Sequence, residues 1–245
     1  RSVPRRRAGR GMSVTSLVCL VGATGTSKAA AALALARAMG GGVINFDSRQ
    51  VYAGLPVVTA QPTPQERAVC PHALYGYLPV DQAVRAGSFA AEILRQAEAF
   101  RTRGLVPILV GGTGLYLKSL VDGLAPIPDI DPGIREELAR ECAVLGSPVL
   151  HARLRGVDPD YAARIHPNDP QRICRALEVF AATGRTLTWW HGRTSRPEGL
   201  RALKIGLRTD LAALTPRLDR RIGLMLEAGA LEEVRLAYEG CPNRE

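Results

Sequence analysis

Residues 17–29 read L-V-C-L-V-G-A-T-G-T-S-K-A. The apolar run 17–21 predicts a buried strand, and the Ala/Leu-rich run from Lys28 to Met39 predicts a helix. Strand, glycine-bearing loop and helix make the setting of a phosphate-binding loop. There, backbone N–H groups and the helix N-terminus surround a phosphate, and a lysine reaches its oxygens. Lys28 stands where that lysine belongs. Against the pattern G-x-x-x-x-G-K-[ST], Ser27 replaces the second glycine, and Ala29 replaces the hydroxyl residue that would ligate magnesium. Alone, the stretch fits either a phosphate site or a plain strand–turn–helix crossover.

Composition narrows the class. A chain of 245 residues holds one large domain, or one domain with an insertion. Hydrophobic content of 46% and charged content of 22% describe an ordinary globular protein, with no apolar run long enough for a membrane span or a secretory signal. Cysteines 19, 70, 142, 174 and 241 are scattered, odd in number and without a C-x-x-C pair. That argues against a zinc site or disulfide framework and for a reducing, cytoplasmic setting. The net charge is +9, but five arginines crowd the first ten residues. Residues 1–11 are expected to be a disordered basic tail, with a nucleic-acid-binding arm as the alternative.

Outward from the loop, the glycines at 40–42 end the first helix and 43–46 predict a second strand, with Asp47 just past its end. Asp47 suits either a ligand-facing carboxylate or a turn cap. The proline-rich stretch 59–71 reads as surface loop, and 73–80 as a strand. Ser88 predicts the cap of a helix to Arg103, and 106–110 a third buried strand before the glycine turn 111–114. Prolines 126, 128 and 132 then mark a linker. From 131 to about 191 the periodicity is helical: a helix capped by Asp131 with Ile134, Leu138, Cys142 and Leu145 inward, then helices near 149–155, 160–166 and 171–183. Strand character returns at 203–207. Thr215 and Pro216 predict the start of a helix with Leu218, Ile222, Met225 and Leu226 inward, and Gly229 opens a last one to Tyr238.

Four stretches in this order carry a resemblance: the loop 22–28, D-S-R-Q-V-Y at 47–52, V-G-G-T-G-L-Y at 110–116 and H-P-N-D-P-Q-R at 166–172. Together they resemble the tRNA dimethylallyltransferases, also called isopentenylpyrophosphate transferases, from about residue 17 to 238. The resemblance implies an α/β fold: a P-loop NTPase-like core with a mainly parallel sheet, at 12–125 and 201–245. An all-helical tRNA-binding insertion at 126–200 would hinge over the tRNA. It implies transfer of a dimethylallyl group from dimethylallyl diphosphate to the exocyclic amine of the tRNA adenosine next to the anticodon on its 3′ side, with Mg2+ as cofactor.

By the same resemblance, Gly22, Ala23, Thr24, Gly25, Thr26, Ser27, Lys28 and Ala29 hold the diphosphate. Asp47 is the base, and Thr24 and Arg217 are donors to the leaving oxygen. Asp47, Ser48, Arg49 and Gln50 lie beside a flipped adenosine, and Thr113, Arg135, Gln171, Arg172, Ile173, Cys174 and Arg175 contact the tRNA anticodon stem-loop. The partners implied are tRNA and dimethylallyl diphosphate, with no membrane, for a monomer.

Arg221 is expected to pair with a carboxylate. Arg172 and Arg175 also fit a solvated helix face. The sequence departs from the family at Ser27, at Ala29 and at Gln61, which stands for a lysine, and the family pattern continues past residue 245. Ala29 leaves a metal to the diphosphate oxygens and water. Two rivals stay open: a phosphate-loop small-molecule kinase, and a truncated or degenerate, non-catalytic relative that binds tRNA.

Overall fold

The computed structural model describes residues 15–240. The basic tail expected at 1–11 and Cys241 lie outside the described residues. The chain divides into two compact units. The first runs to Val121 and resumes at Pro197, and the second is Asp122–Arg196.

The first unit holds β1 (Thr15–Gly22), α1 (Lys28–Met39), β2 (Gly41–Asn45), α2 (Pro64–Val69), β3 (His72–Ala73), α3 (Ala86–Thr102), β4 (Val106–Gly111) and α4 (Gly114–Val121). The second unit holds only helices among its described residues: α5 (Pro132–Leu145), α6 (Ser147–Val157), α7 (Pro159–Ala162), α8 (Pro170–Thr183) and α9 (Leu187–His191). The first unit then resumes with β5 (Leu200–Leu207), α10 (Leu211–Glu227) and α11 (Ala230–Glu239).

The five strands form one parallel sheet in the order β3-β2-β4-β1-β5. Alternate side chains of each strand enter opposite layers. Leu17, Cys19, Ile44 and Leu109 meet Phe89, Ile93 and Phe100 of α3 and Leu120 of α4. Leu20, Val43, Ile108 and Val110 meet Ala32 and Ala36 of α1. Small residues on α1 let that helix lie close to the sheet. Each fully buried Leu or Ile contributes about 1.5–3 kcal/mol, so these two layers hold the strand ends in place. The expected α/β core with a parallel sheet is the observed one.

Several boundaries moved, each for a local reason. Of the three glycines, Gly40 alone caps α1, at φ 60°. Gly41 and Gly42 enter β2, where a Cβ on Gly42 would sit 2.4 Å from the Phe100 ring. The stretch read as proline-rich loop contains α2, because T-P-Q-E at 63–66 is a capping box with proline in the first turn. The strand expected at 73–80 shrinks to β3 plus one bridge between Tyr52 and Leu78. Ser88 lies inside α3 and donates to the Arg85 carbonyl. Leu145 of the expected α5 stripe is 49% exposed.

α10 begins four residues before Thr215, at Leu211, and carries Pro216 in its interior. Pro216 lacks the N–H that would close the turn there, a loss tolerated on an exposed helix. Its inward positions belong to Leu214, Leu218, Arg221 and Met225, which leaves Ile222 and Leu226 exposed.

The second unit has its own core of Leu138, Leu150, Leu154, Ile173, Leu177 and Leu187. Buried Asp158 pins it. Its carboxylate caps α7 at Tyr161 N and accepts from both the N–H and the hydroxyl of Thr188 in α9, at 2.9 and 2.6 Å.

Candidate active site

The loop between β1 and α1 closes on itself. Lys28 Nζ donates to the carbonyls of Gly22 and Ala23 at 2.8 and 2.7 Å, and Thr26 Oγ1 donates to Ala23 O at 2.8 Å. Gly25 takes φ 85°, and a Cβ there would lie 2.7 Å from Leu214 and 3.0 Å from Leu218, so α10 seals the loop from behind. Ser27 also sits in the left-handed region, at φ 62° and ψ 29°, and makes no side-chain cap. The missing glycine thus stands at a position that requires positive φ. Burial of the Lys28 ammonium pushes its pKa below the usual lysine value; Asp47 opposes that shift and Arg221 adds to it. Free N–H groups of the first turn of α1 add a positive end to the same place.

Asp47 stands just beyond β2. Its N–H donates to Asn45 Oδ1 at 2.7 Å, and its own Oδ1 accepts from Arg49 N at 2.9 Å. The end of β4 comes unusually near. A Cβ on Gly111 would lie 2.7 Å from the Phe46 carbonyl carbon and 2.9 Å from Asp47 N, so that position admits only glycine. Thr113 Oγ1 accepts from Ser48 N at 3.2 Å, which joins the D-S-R-Q-V-Y loop to the glycine turn. Gln50 Nε2 donates to the carbonyls of Thr59 and Ala60, at 3.1 and 2.6 Å. Gln50 therefore supports the 56–61 loop.

These elements enclose a cavity of about 1150 Å³. Thr24, Gly25, Ser27, Lys28 and Ala29 line it, as do Asp47, Arg49, Gln50, Arg217 and Arg221. Gly22, Ala23 and Thr26 are not in its wall; Gly22 and Ala23 act through the carbonyls that Lys28 holds. The expected pairing of Arg221 is not what is found. Among the described residues neither Arg217 nor Arg221 has a carboxylate within ion-pair distance, and both face the cavity. One helix turn separates them, so both lie on the face of α10 that lines the cavity. Gln61 lines the cavity too, with Nε2 donating to Tyr52 O at 2.8 Å.

Sequence reasoning overlooked three supports of this site. Asn45 is wholly buried and bonds Asp47 on both sides of its peptide. Residues 56–61 form one wall of the cavity. Glu233 of α11 holds that wall, accepting from Val57 N and Val58 N at 2.8 and 2.7 Å. For Asn45 a signal exists, an Asn two residues before Asp47, where side-chain-to-backbone turns form. For Glu233 there is none, because its partners lie 175 residues away.

In the second unit the expected RNA contacts separate by burial. Arg135 of α5 and Arg175 of α8 converge on one oxygen of Glu178, at 3.1 and 2.8 Å. Glu178 itself is buried at 4% side-chain exposure, while Arg135 and Arg172 are 69% and 65% exposed. Gln171 is exposed as well. Ile173 is the exception to the expected set: with 0% exposure its side chain belongs to the core of the unit. Cys174 is half-buried, its thiol donating toward Leu138 O, and burial pushes its pKa up to about 11. It is inert as a nucleophile at neutral pH.

A sequence model described as IPP transferase matches residues 50–245. The chain belongs to the IPP transferase family. A tRNA dimethylallyltransferase of Nitratidesulfovibrio vulgaris (strain Miyazaki F) is 57% identical over 240 residues, covering 92% of this chain and 71% of the relative. One from Maridesulfovibrio salexigens is 53% identical, over 93% of this chain and 74% of the relative. A eukaryotic dimethylallyltransferase solved acting on tRNA matches with a TM-score of 0.73 at 30% identity, over 92% of this chain and 56% of that one. The tRNA isopentenylpyrophosphate transferase of Bacillus halodurans matches with a TM-score of 0.60 at 31% identity, over 94% and 72%. The fold is therefore the P-loop-like fold of the IPP transferases. Family membership sets aside the small-molecule kinase, which explained neither H-P-N-D-P-Q-R nor the helical segment.

Proposed function

We propose that this chain transfers a dimethylallyl group from dimethylallyl diphosphate to the exocyclic amine of the tRNA adenosine on the 3′ side of the anticodon. One observation carries the reading: in an IPP transferase, Lys28, Arg217, Arg221 and Asp47 line a single cavity. Three cations and a helix N-terminus suit a diphosphate, and one carboxylate suits a nucleophile that must lose a proton.

The diphosphate lies in the loop, with its oxygens facing Lys28, the N–H groups at the start of α1 and the two arginines. Negative charge grows on the bridging oxygen as the allylic carbon leaves. Thr24 and Arg217 face that charge and lower the barrier by donating to it. Lys28 releases the loop carbonyls to do the same. The adenine amine attacks the freed carbon, and Asp47 orients the amine and takes its proton. Stacking in the anticodon loop hides that amine, so the base is extruded into the cavity beside Arg49 and Gln50, on a loop that Ser48 and Thr113 tie together outside the cavity wall.

The residues present do not fit a magnesium ion held by the protein's own side chains. Ala29 offers no hydroxyl, and among the described residues no cluster of three metal-ligating side chains exists. Diphosphate oxygens and water would hold the ion, which neutralises phosphate charge when bound. Arg135, Gln171, Arg172 and Arg175 serve as contacts to tRNA phosphates. The protein would work in the reducing cytoplasm as a monomer, with its four described cysteines as free thiols.

Asp47→Ala tests the assignment. It is expected to lower transfer by at least about a hundredfold while tRNA affinity stays near wild type. Wild-type turnover by that variant would remove Asp47 from the mechanism.

A further inference from the structure

We propose that Asn45 is the positioning residue for Asp47, its buried amide gripping both the N–H and the C=O of Asp47 and tying them to the Leu74 carbonyl, in the segment just past the neighbouring strand β3. The inference rests on reading Asp47 as the base. Asn45 is the last residue of β2 and has 0% exposure. Its Oδ1 accepts from Asp47 N at 2.7 Å, while Nδ2 donates to Asp47 O at 3.0 Å and to Leu74 O at 2.9 Å. A buried amide is costly unless its partners are supplied, and here both donors and one acceptor position are used.

A turn alone does not account for this residue. The Asp47 N–H needs only an acceptor two residues earlier, which serine or aspartate provides equally well. What asparagine adds is a pair of donors, and these reach the backbone oxygens of Asp47 and Leu74. Leu74 is held at φ 66°, outside the ordinary range of a leucine, and the next residue, Tyr75, lines the cavity with Asp47. The amide therefore ties the Asp47 turn to the segment that leads into Tyr75 and fixes the rotation of the Asp47 peptide. Arg49 N occupies Asp47 Oδ1, so that rotation decides where Oδ2 points.

Displacing a reacting group by about 1 Å costs on the order of a hundredfold in rate. In the intact protein, Asn45→Asp is expected to lower kcat by about tenfold to a hundredfold, with the KM for dimethylallyl diphosphate changed less than about threefold.

Asn45→Asp sets a carboxylate against two carbonyl oxygens and is the variant most prone to unfold. Asn45→Ser and Asn45→Ala carry the same test. Serine keeps an acceptor for Asp47 N and alanine keeps none, so kcat is expected to fall in the order Asn, Ser, Ala among samples with intact melting transitions. Equal kcat for folded Ser, Ala and wild-type proteins would overturn the proposal. So would losses that track the folded fraction alone. Asp47→Ala separates the two failures. If it is inactive while the Asn45 variants are normal, only the positioning role falls; if it is active, the base assignment falls first.

Discussion

Ser27 holds a backbone conformation that an L-residue enters at a cost of about 1–2 kcal/mol, and it gains no capping bond in return. Ser27→Gly is expected to raise unfolding stability by about 1 kcal/mol, less a few tenths for the freer unfolded chain. An unchanged urea midpoint would show that the loop bears no strain. Lys28 gives a pH dependence whose sign follows from its environment. Burial lowers its pKa below the 10.5 of a free lysine, so the unfolded chain holds the proton more tightly than the folded one. Stability without ligand should therefore increase as pH rises through the window just below 10.5, while diphosphate affinity declines across it. Titration calorimetry over that range, with Lys28→Arg as the control, measures the second effect; an affinity independent of pH would remove Lys28 from the diphosphate. The strain at Ser27 was legible in the sequence because a glycine was missing from a known pattern. The grip of Asn45 was not, because Leu74, 29 residues away, completes it only once β2 and its neighbours are in register.

At the scale of elements, two carboxylates act as ties. Glu233 joins α11 to the wall at 56–61 through two charge-assisted bonds. Glu233→Ala should speed amide hydrogen exchange at Val57 and Val58 while β1 and β4 stay protected, and should raise the KM for dimethylallyl diphosphate more than it lowers kcat. Unchanged exchange at both amides would show that the wall holds itself. Glu178 gathers Arg135 and Arg175 on one face of the helical unit. If these arginines meet tRNA phosphates, Arg175→Gln should weaken tRNA binding and reduce the slope of log affinity against log salt by about 0.7–0.9. An identical slope would make the pair a solvated surface feature. The start of α5 was read correctly from its Asp131 cap, and that of α1 from the apolar run that opens at Lys28. α2 was missed because prolines outweighed a capping box spelled out at 63–66. The start of α10 was misplaced because Pro216, a favoured opening residue, sits inside the helix.

Across the whole molecule, four motifs scattered over more than a hundred residues come to the two units in a pattern that composition cannot forecast. The loop 22–28, Asp47 and the glycine turn converge because β1, β2 and β4 are adjacent parallel strands whose carboxyl ends share one edge. α10 adds Arg217 and Arg221 to that edge. The parallel order was foreseeable from strand–helix alternation, and the pairing of these motifs with tRNA chemistry from the resemblance. Leu218 and Met225 were foreseen on the inward face of α10, but the closing of Leu214 and Leu218 over Gly25 was not. The chain spans 71% and 74% of the lengths of two curated relatives, with the cavity formed inside that span. Prenyl transfer in this cavity is expected despite Ser27 and Ala29. The most direct test incubates the protein with radiolabelled dimethylallyl diphosphate, magnesium and unmodified tRNA bearing adenosine beside the anticodon. Label is expected in that adenosine, and none with Asp47→Ala. A protein that binds both substrates yet leaves the tRNA unlabelled would contradict this expectation.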